Sequence, residues 1–176
     1  MTDPAALQTE RLRVRALTAA DAPFIVALLN DPAFIRNIGD RGVRTDADAR
    51  AYLTAGPLES YARHGFGLCA VDLLATGASI GICGLLQRAD LPGPDLGFAF
   101  LPQFRGRGYA FEAASAVMAD AHARLGIETL LAIANPANEA SIRLLDRLGF
   151  TFERTIQIPG ETAFVSLFAA RRTQSD

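Results

Sequence analysis

Cysteine and histidine are scarce in this 176-residue chain, with two of each. Cys69 and Cys83 sit in separate apolar runs, so they offer neither a disulfide framework nor metal-ligand spacing. His64 and His122 lie in different segments, with no second His or Cys at ligand spacing beside either, which argues against a metal site. No apolar run is long enough to span a bilayer, and the N-terminus lacks a signal-peptide pattern. Charge of one sign is lacking too: the net charge is −2 and the arginines are dispersed, whereas a general nucleic-acid binder carries a broad basic surface. These absences predict a cytoplasmic protein in a reducing setting, without metal, membrane contact or direct nucleic-acid binding.

What is present is an ordinary globular composition, 50% hydrophobic and 20% charged. The length suits one domain, residues 1–176, with a substantial core. No internal repeat or linker divides it.

The chain begins with alternation: Leu12, Val14 and Ala16 interleave with arginines over residues 9–17, which predicts a half-buried strand. Thr18 and Asp21 have capping-box spacing ahead of a helix with Phe24, Ile25, Leu28 and Leu29 as its stripe. Asp31-Pro32 punctuates it and starts a short second turn. Residues 37–44 are polar and glycine-containing, hence a loop. Thr45 to Asp48 repeats the capping box before a helix that runs towards Tyr61 with a break at Gly56-Pro57. Two strands, 66–71 and 79–86, flank a turn at Thr76-Gly77, and a third covers Asp95–Leu101. The main helix carries Phe111, Ala114, Val117, Met118, Ala121 and Leu125 and ends at Gly126. A strand at 129–134, a helix closed by Gly149 and strands at 150–158 and 162–168 complete the order. This predicts an α+β fold: a mixed, mostly antiparallel twisted sheet of six or seven strands with about four helices.

The chemistry concentrates between the Asp95–Leu101 strand and the main helix, at Gln103-Phe104-Arg105-Gly106-Arg107-Gly108-Tyr109-Ala110. Two glycines permit backbone geometries barred to other residues and keep side chains off the helix mouth. The first N–H groups of that helix lack intrahelical partners, and its dipole favours an anion there. Arg105 and Arg107 add positive charge, so the stretch reads as a phosphate cradle. A P-loop would end in Gly-Lys-Ser/Thr, which is absent. A dinucleotide fingerprint would need a small residue where Phe111 stands, and its ribose-binding acid should end the next strand, whereas Glu128 opens it.

The remaining pattern, Gln103-x-x-Gly106-x-Gly108-x-Ala110, resembles the pyrophosphate loop of the GNAT N-acetyltransferases. Asn135-Pro136-x-Asn138-x-x-Ser141 and Leu148-Gly149-Phe150 are similar to the same superfamily. Thr9-Glu10-Arg11-Leu12 and Asp95-Leu96-Gly97-Phe98 resemble its branch that acetylates the amino termini of ribosomal proteins. The resemblance spans nearly the whole chain. It implies acetyl-CoA as co-substrate, an amine as acceptor and a monomer or homodimer.

The resemblance also implies roles for residues. The loop from Gln103 through Ala110 would bind pyrophosphate, mainly through backbone N–H groups. The strand ending at Phe100 and Leu101 would run beside the pantetheine arm, splayed from strand 129–134, and a backbone N–H near Phe100 or Leu101 would hold the oxyanion. Asn138 would contact the arm and Ser141 would lie near the thioester sulfur. Both also suit a plain helix start. Asp95 stands where many relatives carry Glu and would accept the amine proton, directly or through water; it also suits a turn end after Gly93-Pro94. The position where many relatives place the proton-donating tyrosine is Leu145.

The acceptor follows only from proton chemistry. At pH 7 a lysine amine is neutral in roughly one molecule in 2,500, an α-amine in roughly 10–15%. A site without a strong base therefore matches an α-amine better. Protein amino termini, lysines, polyamines or aminoglycosides, and small metabolite amines all remain open, as does an acyl-CoA-binding protein without catalysis.

Overall fold

A computed structural model describes residues 4–172. Its strands are β1 (Leu7–Gln8), β2 (Leu12–Ala16), β3 (Leu68–Leu73), β4 (Ser79–Leu86), β5 (Asp95–Phe100), β6 (Thr129–Ala134), β7 (Thr151–Gln157) and β8 (Phe164–Arg171). Its helices are α1 (Ala22–Leu29), α2 (Pro32–Asn37), α3 (Asp46–Leu53), α4 (Glu59–His64), α5 (Tyr109–Ala123) and α6 (Glu139–Arg147). All eight strands join one sheet in the order β1-β2-β3-β4-β5-β6-β8-β7. Every neighbouring pair is antiparallel except β5 and β6. The α+β class and the element order agree with the sequence reading. The expected domain limits at residues 1 and 176 lie outside the described residues.

Two features differ, for physical reasons. The eighth strand is β1, whose two residues are too few to show a period. The second concerns the predicted break at Gly56-Pro57. Instead, the chain widens into a π turn over Thr54–Leu58 and continues from α3 into α4. Pro57 has no N–H to give to the preceding turn, and the wider turn accommodates that loss without ending the helix.

Both predicted capping boxes form: Thr18 with Asp21, and Thr45 with Asp48, each exchanging side-chain and backbone bonds. Alternation along the strands sends side chains to two faces, and each face has its own core. Leu12, Val14, Val71, Ile80, Leu96 and Phe100 pack with Ala113, Ala114 and Val117 of α5. Ala70 and Ile82 pack on the opposite face with Leu28 and Leu29 of α1 and Leu53 of α3. Tyr61 of α4 bridges the two strands at one end of the β2–β3 ladder: its hydroxyl accepts from the Leu17 N–H at 3.0 Å and donates to the Leu68 carbonyl.

Candidate active site

The site begins where the sheet opens. The Leu101 N–H donates to the Ile80 carbonyl at 2.9 Å, continuing the β4–β5 register in which Phe100 faces Gly81 and Ala99 faces Ile82. Alternate pairs of an antiparallel ladder exchange bonds. Ala99 and Gly97 therefore also face β4, and the N–H groups of Phe98 and Phe100 point away from it, towards β6. There the parallel register pairs only Asp95 with Leu131, closed by the Leu131 N–H to the Pro94 carbonyl at 3.0 Å. Beyond that point β5 and β6 part, which is the predicted splay. Of the two expected donors, Phe100 or Leu101, the Leu101 N–H is committed to Ile80, so that of Phe100 faces the opening.

The loop closes the wide end of the splay. Pro102–Phe104 make one 3-10 turn, Gly106 lies at φ 71°, and Gly108 caps α5 at φ 81° with no side-chain cap. The first N–H of α5 to find an intrahelical partner is that of Glu112, bonded to the Gly108 carbonyl at 3.1 Å. Those of Tyr109, Ala110 and Phe111 come before it and lead out of the helix mouth. A Cβ built on Gly106 meets nothing within 4 Å, so the space above the turn is open. Left-handed glycines, open space and unpaired N–H groups together fit a pyrophosphate.

The two arginines of the loop divide. Arg105, expected beside the phosphate, turns inward: its Nε donates to the Phe100 carbonyl at 2.9 Å and its Nη2 pairs with the Asp31 carboxylate. That carboxylate is buried and also caps α2, accepting from the Phe34 N–H at 3.0 Å. Arg107 keeps a guanidinium without hydrogen bond or ion pair among the described residues. Gln103 is exposed, Ala110 packs half-buried against the core, and the Tyr109 ring lies 4.5 Å beneath the Arg11 guanidinium.

Across the splay, α6 begins with Asn138. Its Oδ1 accepts from the Ser141 N–H at 3.2 Å and its Nδ2 donates to Ser141 Oγ at 2.9 Å. The two residues are thus brought together as a helix cap, and the Ser141 hydroxyl keeps its own proton to donate. Leu145, one turn further on, is 1% exposed and fills the core.

Asp95 lies at the narrow end, 1% exposed, with Arg88 Nε 3.1 and 3.2 Å from its two oxygens. Burial pushes its carboxyl above the ordinary value, and the Arg88 charge and hydrogen bond offset this only in part. It shares a face with Gly97, Ala99 and Leu101, the face covered by α1 and α3. Tyr52 of α3 joins this neighbourhood: burial raises its phenol pKa, while the charges of Arg41 and Arg88 pull it down. Arg88 had no signal in the sequence, since only the folded Leu91–Pro94 connection brings it to Asp95.

Of Asp40, Asp46 and Asp48, the acids that could line a cleft for a polycation, two are engaged within the protein. Asp40 pairs with Arg44 at 2.6 Å, and Asp48 accepts from the Arg44 and Thr45 N–H groups at 3.0 and 2.9 Å. Cys69 and Cys83 face each other across β3 and β4 as free, buried thiols. Burial pushes the Cys69 thiol up to about 12 and the Cys83 thiol higher still, so neither offers a thiolate nucleophile. No group of three His, Cys, Asp or Glu able to hold a metal occurs among the described residues.

Known proteins share this architecture. The chain is 27% identical over 154 residues to the uncharacterized protein YkkB of Bacillus subtilis, covering 86% of this chain and 88% of that one. An acetyltransferase from Agrobacterium tumefaciens superposes with a TM-score of 0.81 at 26% identity, covering 96% of this chain and 95% of its own. A putative ribosomal-protein-serine acetyltransferase from Vibrio cholerae shares the fold with a TM-score of 0.80 at 20% identity, covering 98% and 100%. Residues 11–151 match the family model described as the acetyltransferase (GNAT) domain. The chain therefore belongs to the GNAT family and is an acetyl-CoA-dependent acetyltransferase.

Proposed function

We propose that this enzyme transfers the acetyl group of acetyl-CoA directly to a primary amine, and that the acceptor is the α-amine of a protein or peptide amino terminus. The observation that carries the transfer is the splay itself, an unpaired strand edge that ends in an anion cradle. Acetyl-CoA supplies an acyl group activated as a thioester. The N–H groups at the mouth of α5 would hold its pyrophosphate, and those of Phe98 and Phe100 would meet the pantetheine arm and the thioester oxygen, where charge develops. Asp95 would take the proton released by the attacking amine, its raised pKa suiting that task better than an ordinary carboxylate. Ser141, oriented by Asn138, would direct a water towards the departing sulfur, since Leu145 supplies no proton.

The choice of an α-amine rests on proton affinity and on charge. A single buried carboxylate, already paired with Arg88, is a modest base and suits an amine of pKa about 7.7–8.0 rather than about 10.4. Asp40 and Asp48 are engaged within the protein, which weighs against a polycation. The name of the Vibrio cholerae relative, a ribosomal-protein-serine acetyltransferase, points to a protein acceptor. Two buried free thiols suit a reducing, cytoplasmic setting. The test is competition at neutral pH between short peptides with free amino termini and N-blocked peptides bearing only lysine. The free termini are expected to win; preference for blocked lysine peptides or for a polyamine overturns the acceptor and leaves the transferase intact.

A second reading, an acyl-CoA-binding protein without turnover, draws on Leu145 and on the closed Asp95–Arg88 pair. Tight CoA binding with no amine-dependent thiol release would favour it.

A further inference from the structure

The phosphate cradle has a carboxylate at its door. Glu112 lies in the first turn of α5, where a free negative charge would repel a second anion. It is not free. The Thr9 hydroxyl donates to Oε1 at 2.6 Å, the Arg11 backbone N–H donates to the same oxygen at 2.9 Å, and Arg11 Nε donates to Oε2 at 2.7 Å. These donors come from residues about a hundred positions earlier in the chain, on the turn that leads into β2. Burial opposes ionisation of Glu112, yet these bonds outweigh it and hold the carboxyl below its ordinary value. The acid is therefore charged, and the Arg11 cation neutralises it in place.

The same guanidinium reaches the loop. Arg11 Nη1 donates to the Arg107 carbonyl at 3.0 Å, midway between the two left-handed glycines, and its plane lies over the Tyr109 ring at 4.5 Å. Its Nη2 sits 3.3 Å from where a Gly108 side chain would begin and has no hydrogen-bond partner among the described residues. One side chain thus grips the loop before α5, the first residue of α5 and the carboxylate one turn in.

We propose that Arg11 is a positioning residue for the pyrophosphate loop: it fixes the loop in its anion-binding shape and cancels the charge of Glu112 at the helix mouth. Thr9 completes the clasp. This rests on the proposed binding of CoA at that loop and adds to it a cause for the Thr9-Glu10-Arg11 segment, which contributes no group to the splay. Lysine cannot replace Arg11 fully, because one ammonium does not span Glu112, the Arg107 carbonyl and the Tyr109 ring together.

The experiment compares two ligands on one set of variants. CoA engages loop and splay, whereas S-acetylpantetheine lacks the pyrophosphate and engages the splay alone. In calorimetry, R11A should weaken CoA binding roughly tenfold or more, the loss of at least one charge-assisted hydrogen bond's support. R11K should fall between, and E112Q, which removes the anchor that holds Arg11 but also the charge that repels the anion, should weaken it less than R11A. Titration of S-acetylpantetheine followed by NMR should give the same affinity in all four proteins. Equal loss for both ligands, or CoA affinity unchanged in R11A and E112Q, overturns the role of Arg11. A wild-type protein that binds no CoA overturns the proposed function, and this inference with it. If R11A does not fold, R11K and E112Q make the same comparison.

Discussion

Asp95 and Arg88 form an ion pair in which the acid is 1% exposed and the base 29%. Burial and the neighbouring cation work against each other on this carboxyl, and burial prevails. A general base whose pKa is raised from its ordinary value loses activity earlier as the pH falls. The expected kcat/KM therefore declines on the acid side through a pKa above that of an ordinary aspartate. R88A removes the opposing charge and should move that limb higher. D95N should erase the limb and lower the rate by about a hundredfold or more. A D95N enzyme with the wild-type rate and profile would remove Asp95 from the chemistry.

The same carboxyl leaves a mark on stability. Its folded pKa is raised, so the folded state holds the proton more tightly than the unfolded chain does. The stability it contributes is fully present below the unfolded pKa and is lost as pH rises through the folded pKa. Denaturant titrations across that window should show wild-type stability falling with rising pH and D95N falling less. An identical slope in both proteins would contradict the raised value.

Gly106 and Gly108 separate strain from obstruction. Both lie at positive φ, but a Cβ at Gly106 meets open space, while one at Gly108 approaches Arg11 Nη2 at 3.3 Å. G106A should cost stability of about 1 kcal/mol from the left-handed backbone alone. G106V and G108V should abolish CoA binding in calorimetry, because each sets a branched side chain in the anion's space. Unchanged affinity in both valine variants would remove the cradle from the site.

The cysteines should be bystanders. C69A/C83A is expected to keep most of its turnover while losing about 1 kcal/mol of stability per buried sulfur. Mass spectrometry of the wild type mixed with acetyl-CoA should find no acetyl-cysteine. A trapped acetyl-cysteine, with activity lost in a folded double variant, would replace direct transfer by a covalent route.

What the sequence made legible was local. Apolar alternation, capping boxes at Thr18 and Thr45, and glycines at 77, 126 and 149 mark elements within a few residues of themselves, and these recur in the structure. The cradle was legible for the same reason, being one continuous stretch with its own geometry. Long-range partners were not. Arg105 read as a phosphate ligand because Asp31, 74 residues away, leaves no trace in its surroundings. Arg88 carried no signal of its own, because only the folded turn through Leu91 brings it to Asp95. Leu101 and Phe100 were interchangeable until the register with Ile80 and Gly81 fixed which N–H turns to the splay.

The most direct test of acetyl transfer at the splay is the release of free CoA thiol from acetyl-CoA across a panel of amines and peptides, with the products weighed by mass spectrometry. The expected result is thiol release that depends on a peptide with a free amino terminus, matched by one acetyl group on that terminus. CoA that binds tightly to the loop, with no acceptor on a broad panel raising thiol release above background, would contradict it.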